Sequence, residues 1–289
     1  MESGGSGCSP RRRAERGLGR GGREGRQTSL VIKIANLVST RRKGQSISIT
    51  ARKLTQEQDG IPGWIAHPDG HGRHPGVMML HHAPGLTGDY KINASLLAQL
   101  GFTVLVPSLY NMLGVPGDHH LGQGAEIQAK HGDADFLRVI ADAWRYLAAR
   151  PDTDPERTAV IGHCLGGRLG IPFAADTPKL RALVLYYATI RDEPASPMRP
   201  RHSFDTAKLI KCATLVLYGG RDHLTSNQTQ LQLWQRFIEG GAPLEWHFFS
   251  HGNHGFAGPD SAGFQPELAQ RAWPLVTGFL QRVLCEIAQ

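Results

Sequence analysis

The chain has 289 residues, 40% of them apolar and 20% charged, with a formal charge of +7. That length is ample for a hydrophobic core and allows one large domain or two small ones. Residues 1–43 hold 11 Lys and Arg against three Asp and Glu, a balance of +8, whereas the other 246 hold 21 against 22, a balance of −1. The basicity that would point to a nucleic-acid or membrane partner thus belongs to a leader, and the body is close to neutral.

Four cysteines, Cys8, Cys164, Cys212 and Cys285, have no short regular spacing, which argues against a disulfide scaffold or a zinc ribbon. No segment approaches the roughly 18 uninterrupted apolar residues of a membrane span. Lys33 interrupts the most apolar early stretch, Leu30 to Val38, and no small-residue cleavage pattern follows it. The expectation is a soluble, cytoplasmic protein with reduced thiols and no membrane partner.

Residues 1–28 carry eight Gly and seven Arg and almost nothing able to build a core. Such composition predicts a disordered basic tail over 1–43 and one folded domain over 44–289. The match of Gly17-x-Gly19-x-x-Gly22 to a dinucleotide fingerprint is accidental, since no strand precedes it and no helix follows. Arg20-Gly21-Gly22-Arg23 has a faint RNA-binding character, so any nucleic-acid role would reside in the tail. The plainer reading is a floppy leader or a start codon set too far upstream. Glu2, Glu15 and Glu24 speak against a transit peptide.

From Gln45 the texture becomes that of alternating strands and helices. Ser46 to Thr50 alternates polar and apolar residues, predicting a half-buried strand that pairs with Ile61 to Ala66. Gly76 to Leu80 is a continuous apolar run, as in a strand covered on both faces. Ile92 to Leu100 predicts a helix closed by Gly101, and Phe102 to Val106 a buried strand stopped by Pro107. An amphipathic helix over 133–149 precedes the strand Thr158 to Gly162 and a helix from Leu165. Leu183 to Tyr187 and Thr214 to Tyr218 read as buried strands, 226–239 as a helix, and Glu245 to Phe249 as a strand. The helix over 266–287 is expected to break at Pro274. This rhythm predicts an α/β domain with a mostly parallel sheet and helices on both faces. Two long loops, Pro107 to Gly132 and Ala188 to Lys208, follow strands and so fall at the carboxyl edge, where ligands bind.

The sharpest local signal is Gly162-His163-Cys164-Leu165-Gly166-Gly167, between a strand and a helix. It is a nucleophile elbow with cysteine in the nucleophile position. The tight turn projects the side chain at the sheet edge, and the helix N-terminus favours a thiolate. A nucleophile needs a base, and the base an orienting carboxylate. Asp222 and His254 each lie just past a late strand, in the order the architecture requires. His223 and His251 are weaker candidates for the base, and Asp192 is a poorer acid. The oxyanion hole is expected from the N–H groups of Leu165 and of Ala83, since Pro84 has none. His163 is a possible neighbour of the reacting groups. His81-His82, His119-His120 and His251-x-x-His254 lack a metal-ligand pattern, so neither a metal nor another cofactor is expected.

Over residues 45–285 the sequence resembles the dienelactone hydrolase family, cysteine-dependent members of the α/β-hydrolase fold. The resemblance rests on the cysteine elbow with its double glycine, Gly219-Gly220-Arg221-Asp222, His254-Gly255-Phe256-Ala257, and the stretch from Pro75 to Pro107-Ser108-Leu109-Tyr110. It implies a Cys164, Asp222 and His254 triad and an ester or lactone hydrolase of carboxymethylenebutenolidase type. The partner would be a small-molecule ester or lactone, the chain a monomer or homodimer. A thioesterase or acyltransferase, or a non-catalytic scaffold, are the alternatives.

Two positions depart from the family. Where it usually has a glutamate, thought to hold the nucleophile's resting state, this chain has His82, which hydrogen-bonds the thiol, supplies positive charge or simply packs beside the loop. Where the archetype has a carboxylate-binding arginine, four residues after the histidine, this chain has Gly258. Arg191, Arg199 and Arg201 are the remaining cations nearby, and they read first as a solvated basic loop. With the neutral body, Gly258 weakens the case for a strongly anionic substrate.

Overall fold

The computed structural model describes residues 47–117 and 120–285. The tail predicted over 1–43, with Cys8, and the candidate His119 lie outside the described residues. Among the described residues one sheet runs through β1 (Ile49–Leu54), β2 (Gly63–Pro68), β3 (His74–Leu80), β4 (Thr103–Pro107), β5 (Thr153–His163), β6 (Ala182–Tyr186), β7 (Ala213–Arg221) and β8 (Leu244–Asn253). Their order is β1-β2-β4-β3-β5-β6-β7-β8. β2 pairs antiparallel with β1 and β4, and every other pairing is parallel.

The helices are α1 (Gln56–Asp59), α2 (Gly88–Gln99), α3 (Leu109–Met112), α4 (Gly124–Lys130), α5 (Asp133–Ala149), α6 (Leu165–Ala175), α7 (Ser203–Ala207), α8 (Asn227–Gly240) and α9 (Pro266–Leu284). Every residue of β4 and β6 is buried. Such strands need cover on both faces, which explains why they read as unbroken apolar runs. The α5 periodicity puts Phe136, Val139, Ile140, Ala143 and Leu147 on its buried face.

Where the structure departs from expectation, packing explains it. α9 does not break at Pro274 but continues through it. Thr277 Oγ1 donates to the Trp273 carbonyl at 3.2 Å. The apolar face of Leu268, Ala272, Trp273, Val276, Phe279 and Leu280 is buried along the whole helix. That burial outweighs the ~3 kcal/mol cost of an interior proline. The first strand begins at Ile49 and reaches Leu54, because its register is set against β2 rather than by its own alternation. Both long loops contain short helices, α3 and α4 in one and α7 in the other. Among the described residues no helix is long and apolar enough to cross a membrane.

Leu185, in β6, is fully buried. Leu185→Ala should lower the unfolding free energy by about 3 kcal/mol in urea denaturation, the sum of lost burial and an unfilled cavity.

Candidate active site

β5 ends at His163, and Cys164 turns the chain into α6 with φ 52° and ψ −110°. Cys164 and Tyr187 are the non-glycine residues with positive φ among those described. The left-handed turn holds because Gly162, Gly166 and Gly167 around it have no side chains. A Cβ on Gly162 would strike the Gly166 carbonyl, one on Gly166 the backbone of Leu80, and one on Gly167 would lie 2.8 Å from the Ala188 Cβ. Strand and helix can therefore approach closely enough to carry Cys164 to the sheet edge at the start of α6.

The other two residues arrive through the β7–β8 pairing. After a register shift at Gly219, Arg221 lies opposite Asn253. The residues that follow, Asp222 and His254, thus leave the sheet side by side. Asp222 Oδ2 accepts from His254 Nδ1 at 2.9 Å, while Oδ1 accepts from the N–H groups of Leu224 and Thr225 at 2.8 and 3.0 Å. Both oxygens are thereby held, and the imidazole is fixed in the tautomer that leaves Nε2 to face elsewhere. Nε2 is buried and makes no well-formed hydrogen bond.

The thiol and the imidazole perturb each other. Burial opposes charge on His254, but the hydrogen bond to Asp222 and the interaction with the Cys164 sulfur outweigh it and lift the imidazole from 6.5 to about 9. Burial likewise opposes the Cys164 thiolate. His254, the Thr189 hydroxyl and the Leu165 N–H together overcome that penalty and hold the thiol below its ordinary 9.0. Each group thus favours the charged form of the other, a thiolate beside an imidazolium.

Thr189, whose hydroxyl lies 3.1 Å from the Cys164 sulfur, was not singled out by the sequence. Its only signal is membership of the long loop after β6. Tyr187 was also missed: φ is 36°, and its ring meets His254 edge-on at a centroid separation of 5.3 Å. No sequence pattern marks either contact.

Cys164, Leu165, Ala83 and Thr189 line one cavity of about 170 Å³, together with Ala125, Gln128 and Leu224 and with the arginines Arg168, Arg191 and Arg199. The loop bearing Ala83 is tied down by Tyr110, whose hydroxyl donates to the Ala83 carbonyl at 2.8 Å. His82 and His163 do not line this cavity. His163 stacks on Tyr186 at 4.7 Å, and burial drives its pKa down to about 3. The backbone N–H of His82 donates to the Tyr90 hydroxyl at 2.9 Å, and its Nε2 lies 3.4 Å from the Thr87 hydroxyl. Burial lowers its pKa to about 4. A ring that is neutral at neutral pH supplies no positive charge to the thiol. His223, the residue after Asp222, lies against the His254 ring, 5.8 Å between centroids.

A cysteine elbow on a mostly parallel sheet of this order, with an acid and a histidine after the last two strands, defines the α/β-hydrolase fold. The chain belongs to the dienelactone hydrolase family, whose sequence profile matches residues 61–284. It is 26% identical over 222 residues to a Yersinia pestis protein provisionally named carboxymethylenebutenolidase, covering 76% of this chain and 83% of the other. It is 25% identical over 242 residues to the carboxymethylenebutenolidase of Rhodococcus opacus, covering 81% and 94%. A crystal structure of a Klebsiella pneumoniae protein provisionally named dienelactone hydrolase superposes with a TM-score of 0.73 at 25% identity, over 81% of this chain and 99% of that one. The chain is a hydrolase of the dienelactone hydrolase type.

The Asp222 carboxylate raises the His254 pKa, so Asp222→Asn should lower it and remove the imidazolium at a lower pH. The thiol, deprived of its counter-ion, should then titrate at higher pH. The rate of Cys164 alkylation by iodoacetamide measured against pH should show its rise displaced upward in the variant; an unchanged profile would contradict the ion pair.

Proposed function

We propose that the chain cleaves an ester or lactone through Cys164, His254 and Asp222 by way of an acyl-enzyme. The observation that supports this reading most is the strained Cys164 at the head of α6, beside an imidazole that Asp222 holds and charges. The thiolate attacks the carbonyl carbon, and the resulting oxyanion is received by the N–H groups of Leu165 and Ala83. When the tetrahedral adduct collapses, the carbon–oxygen bond breaks and the departing alkoxide or enolate takes the proton from His254. The acyl group remains as a thioester on Cys164. Neutral His254 then takes a proton from water as the hydroxide attacks that thioester, and the thiolate departs, leaving the acid and restoring the ion pair. Asp222 keeps the ring oriented throughout.

The three described cysteines are free thiols. A nucleophile that must remain reduced fits a cytoplasmic setting. His82, neutral and hydrogen-bonded within its own loop, serves as a packing residue that supports the Ala83 loop. His163 braces the elbow from behind by stacking on Tyr186.

Cys164→Ala should reduce kcat on an activated aryl ester by about a thousandfold or more without altering the far-ultraviolet circular dichroism. Retention of most activity would rule out the covalent route, and absence of any ester turnover in the parent would favour a non-catalytic scaffold. Thr189→Val should cost about fivefold in kcat/KM, one hydrogen bond of ~1 kcal/mol to the thiolate. Its alkylation profile should move to higher pH as well.

A further inference from the structure

α8 carries two apolar stripes, and the body of the domain covers one of them. Leu233 and Phe237 are buried on its inner face. Leu231, Trp234 and Ile238, spaced i, i+3 and i+7, form a second stripe that stays 50, 38 and 53% exposed. Beside it on β8, Phe248 is 52% exposed and Trp246 is half-buried. Leu231, Trp234, Trp246 and Phe248 line a groove of about 390 Å³ together with Asn227 and Gln230.

The groove is fixed in shape. Gln230 Nε2 donates to the carbonyls of Gly219 and Thr225 at 3.0 and 2.9 Å, tying α8 to the end of β7 and the loop after it. The Phe248 ring lies over Gly220, where an added Cβ would come within 2.9 Å of it. Trp246 rests against Tyr218, with ring centroids 5.5 Å apart.

The strand at this groove is also the last of the sheet. Among the described residues β8 pairs with β7 alone, so one row of its backbone N–H and C=O groups faces outward. Such an edge is a template for a further strand. Charges on the two elements are matched locally: Arg236 pairs with Glu239 at 2.8 Å, and Glu245 with Arg282 of α9 at 2.7 Å. A partner selected by charge finds no dominant sign here, whereas two identical faces of this kind meet without strong repulsion. Area points the same way. Four apolar side chains about half exposed, at roughly 200 Å² each, leave about 400 Å² of apolar surface in one patch. A stable interface takes about 800 Å² from each partner, somewhat over half of it apolar. The patch and the adjoining strand edge approach that requirement, and a second copy meets it equally from its own side.

We propose that this face is the interface of a homodimer, in which α8 and β8 of one copy meet α8 and β8 of a second about a two-fold axis. The two β8 edges run antiparallel, as the axis requires, and extend the sheet across the boundary. Leu231, Trp234, Ile238 and Phe248 of both copies cover that junction and exclude water from it. The contact is independent of the chemistry at Cys164.

Sedimentation equilibrium of the full chain over a dilution series should show a dimer with Kd at or below about 1 μM. Leu231→Lys combined with Phe248→Lys sets like charges against each other across the axis and should raise Kd about a hundredfold or more. Ile92→Lys, at an apolar residue of α2 that is 41% exposed, should leave Kd within about twofold. Circular dichroism and the rate of Cys164 alkylation in the double variant should match the parent, which separates dissociation from unfolding. Should the double variant unfold, Trp234→Ala carries the test, with Kd raised about tenfold. Hydrogen exchange supplies a second readout: the outward N–H groups of β8 should be protected above Kd and exchange freely below it. A parent that is monomeric at every concentration, or a dimer that these variants leave intact, overturns the proposal. Protection of the β8 edge that persists in the monomer also overturns it, because a segment of the same chain then covers the groove.

Discussion

The backbone at Cys164 occupies a region of φ and ψ that costs a side-chain-bearing residue about 1–3 kcal/mol, and the structure holds it there. The surrounding glycines make this possible, since Gly162, Gly166 and Gly167 all sit where a methyl group would meet neighbouring atoms. The consequence is positional. The sulfur stands at the carboxyl edge of β5, at the first turn of α6, and the remaining site is arranged around that point. β7 and β8 carry Asp222 and His254 to the same edge, and β6 brings Thr189 to within 3.1 Å of the sulfur. Had strand and helix been unable to approach, no arrangement of the other residues would place a base against this thiol.

Electrostatics then act on a site that burial has made unforgiving. For both Cys164 and His254 the largest single influence is loss of water, and it opposes the charged form of each. Each group offsets that penalty for the other, and the Asp222 carboxylate adds to the effect at His254. Low dielectric strengthens those attractions by the same measure that it penalises an isolated charge. His82 and His163 show the other outcome. Burial prevails at both: Asp260 acts on His82 too weakly to offset it, and no carboxylate supports His163. Histidines one and eighty-two positions from the nucleophile in sequence thus differ from His254 in their partners rather than in their chemistry.

The near-neutral body conceals a local clustering of charges. Arginines from α6 and from the loop after β6 gather on one wall, and the Asp89 carboxylate lies on the side of Gly258. A total of charges over a whole domain averages away such separation, although substrate meets only the local field. The loop that reads as a solvated basic stretch is fastened to α5, α6 and α7 by hairpin, ion-pair and capping contacts.

Much of this protein was legible in its residue order because the relevant physics is local. Apolar runs, the period of 133–149 and the glycines around Cys164 each act within a few residues, so the alternating fold, the elbow and the family resemblance could be read directly. Asp222 and His254 were legible as positions after strands. Their meeting depends on Arg221 lying opposite Asn253, a register that no local pattern encodes. Thr189 at the sulfur, Tyr187 against His254 and continuation of α9 through Pro274 were likewise decided by tertiary structure. Each depends on groups brought together by packing from separate elements or on burial that outweighs a local preference. Sequence by itself determined the fold class, the family and the order in which the strands supply Cys164, Asp222 and His254. Only the folded chain decided which side chains are neutral, which are charged and which face the same cavity, because charge state and contact are set by surroundings assembled from distant parts of the chain.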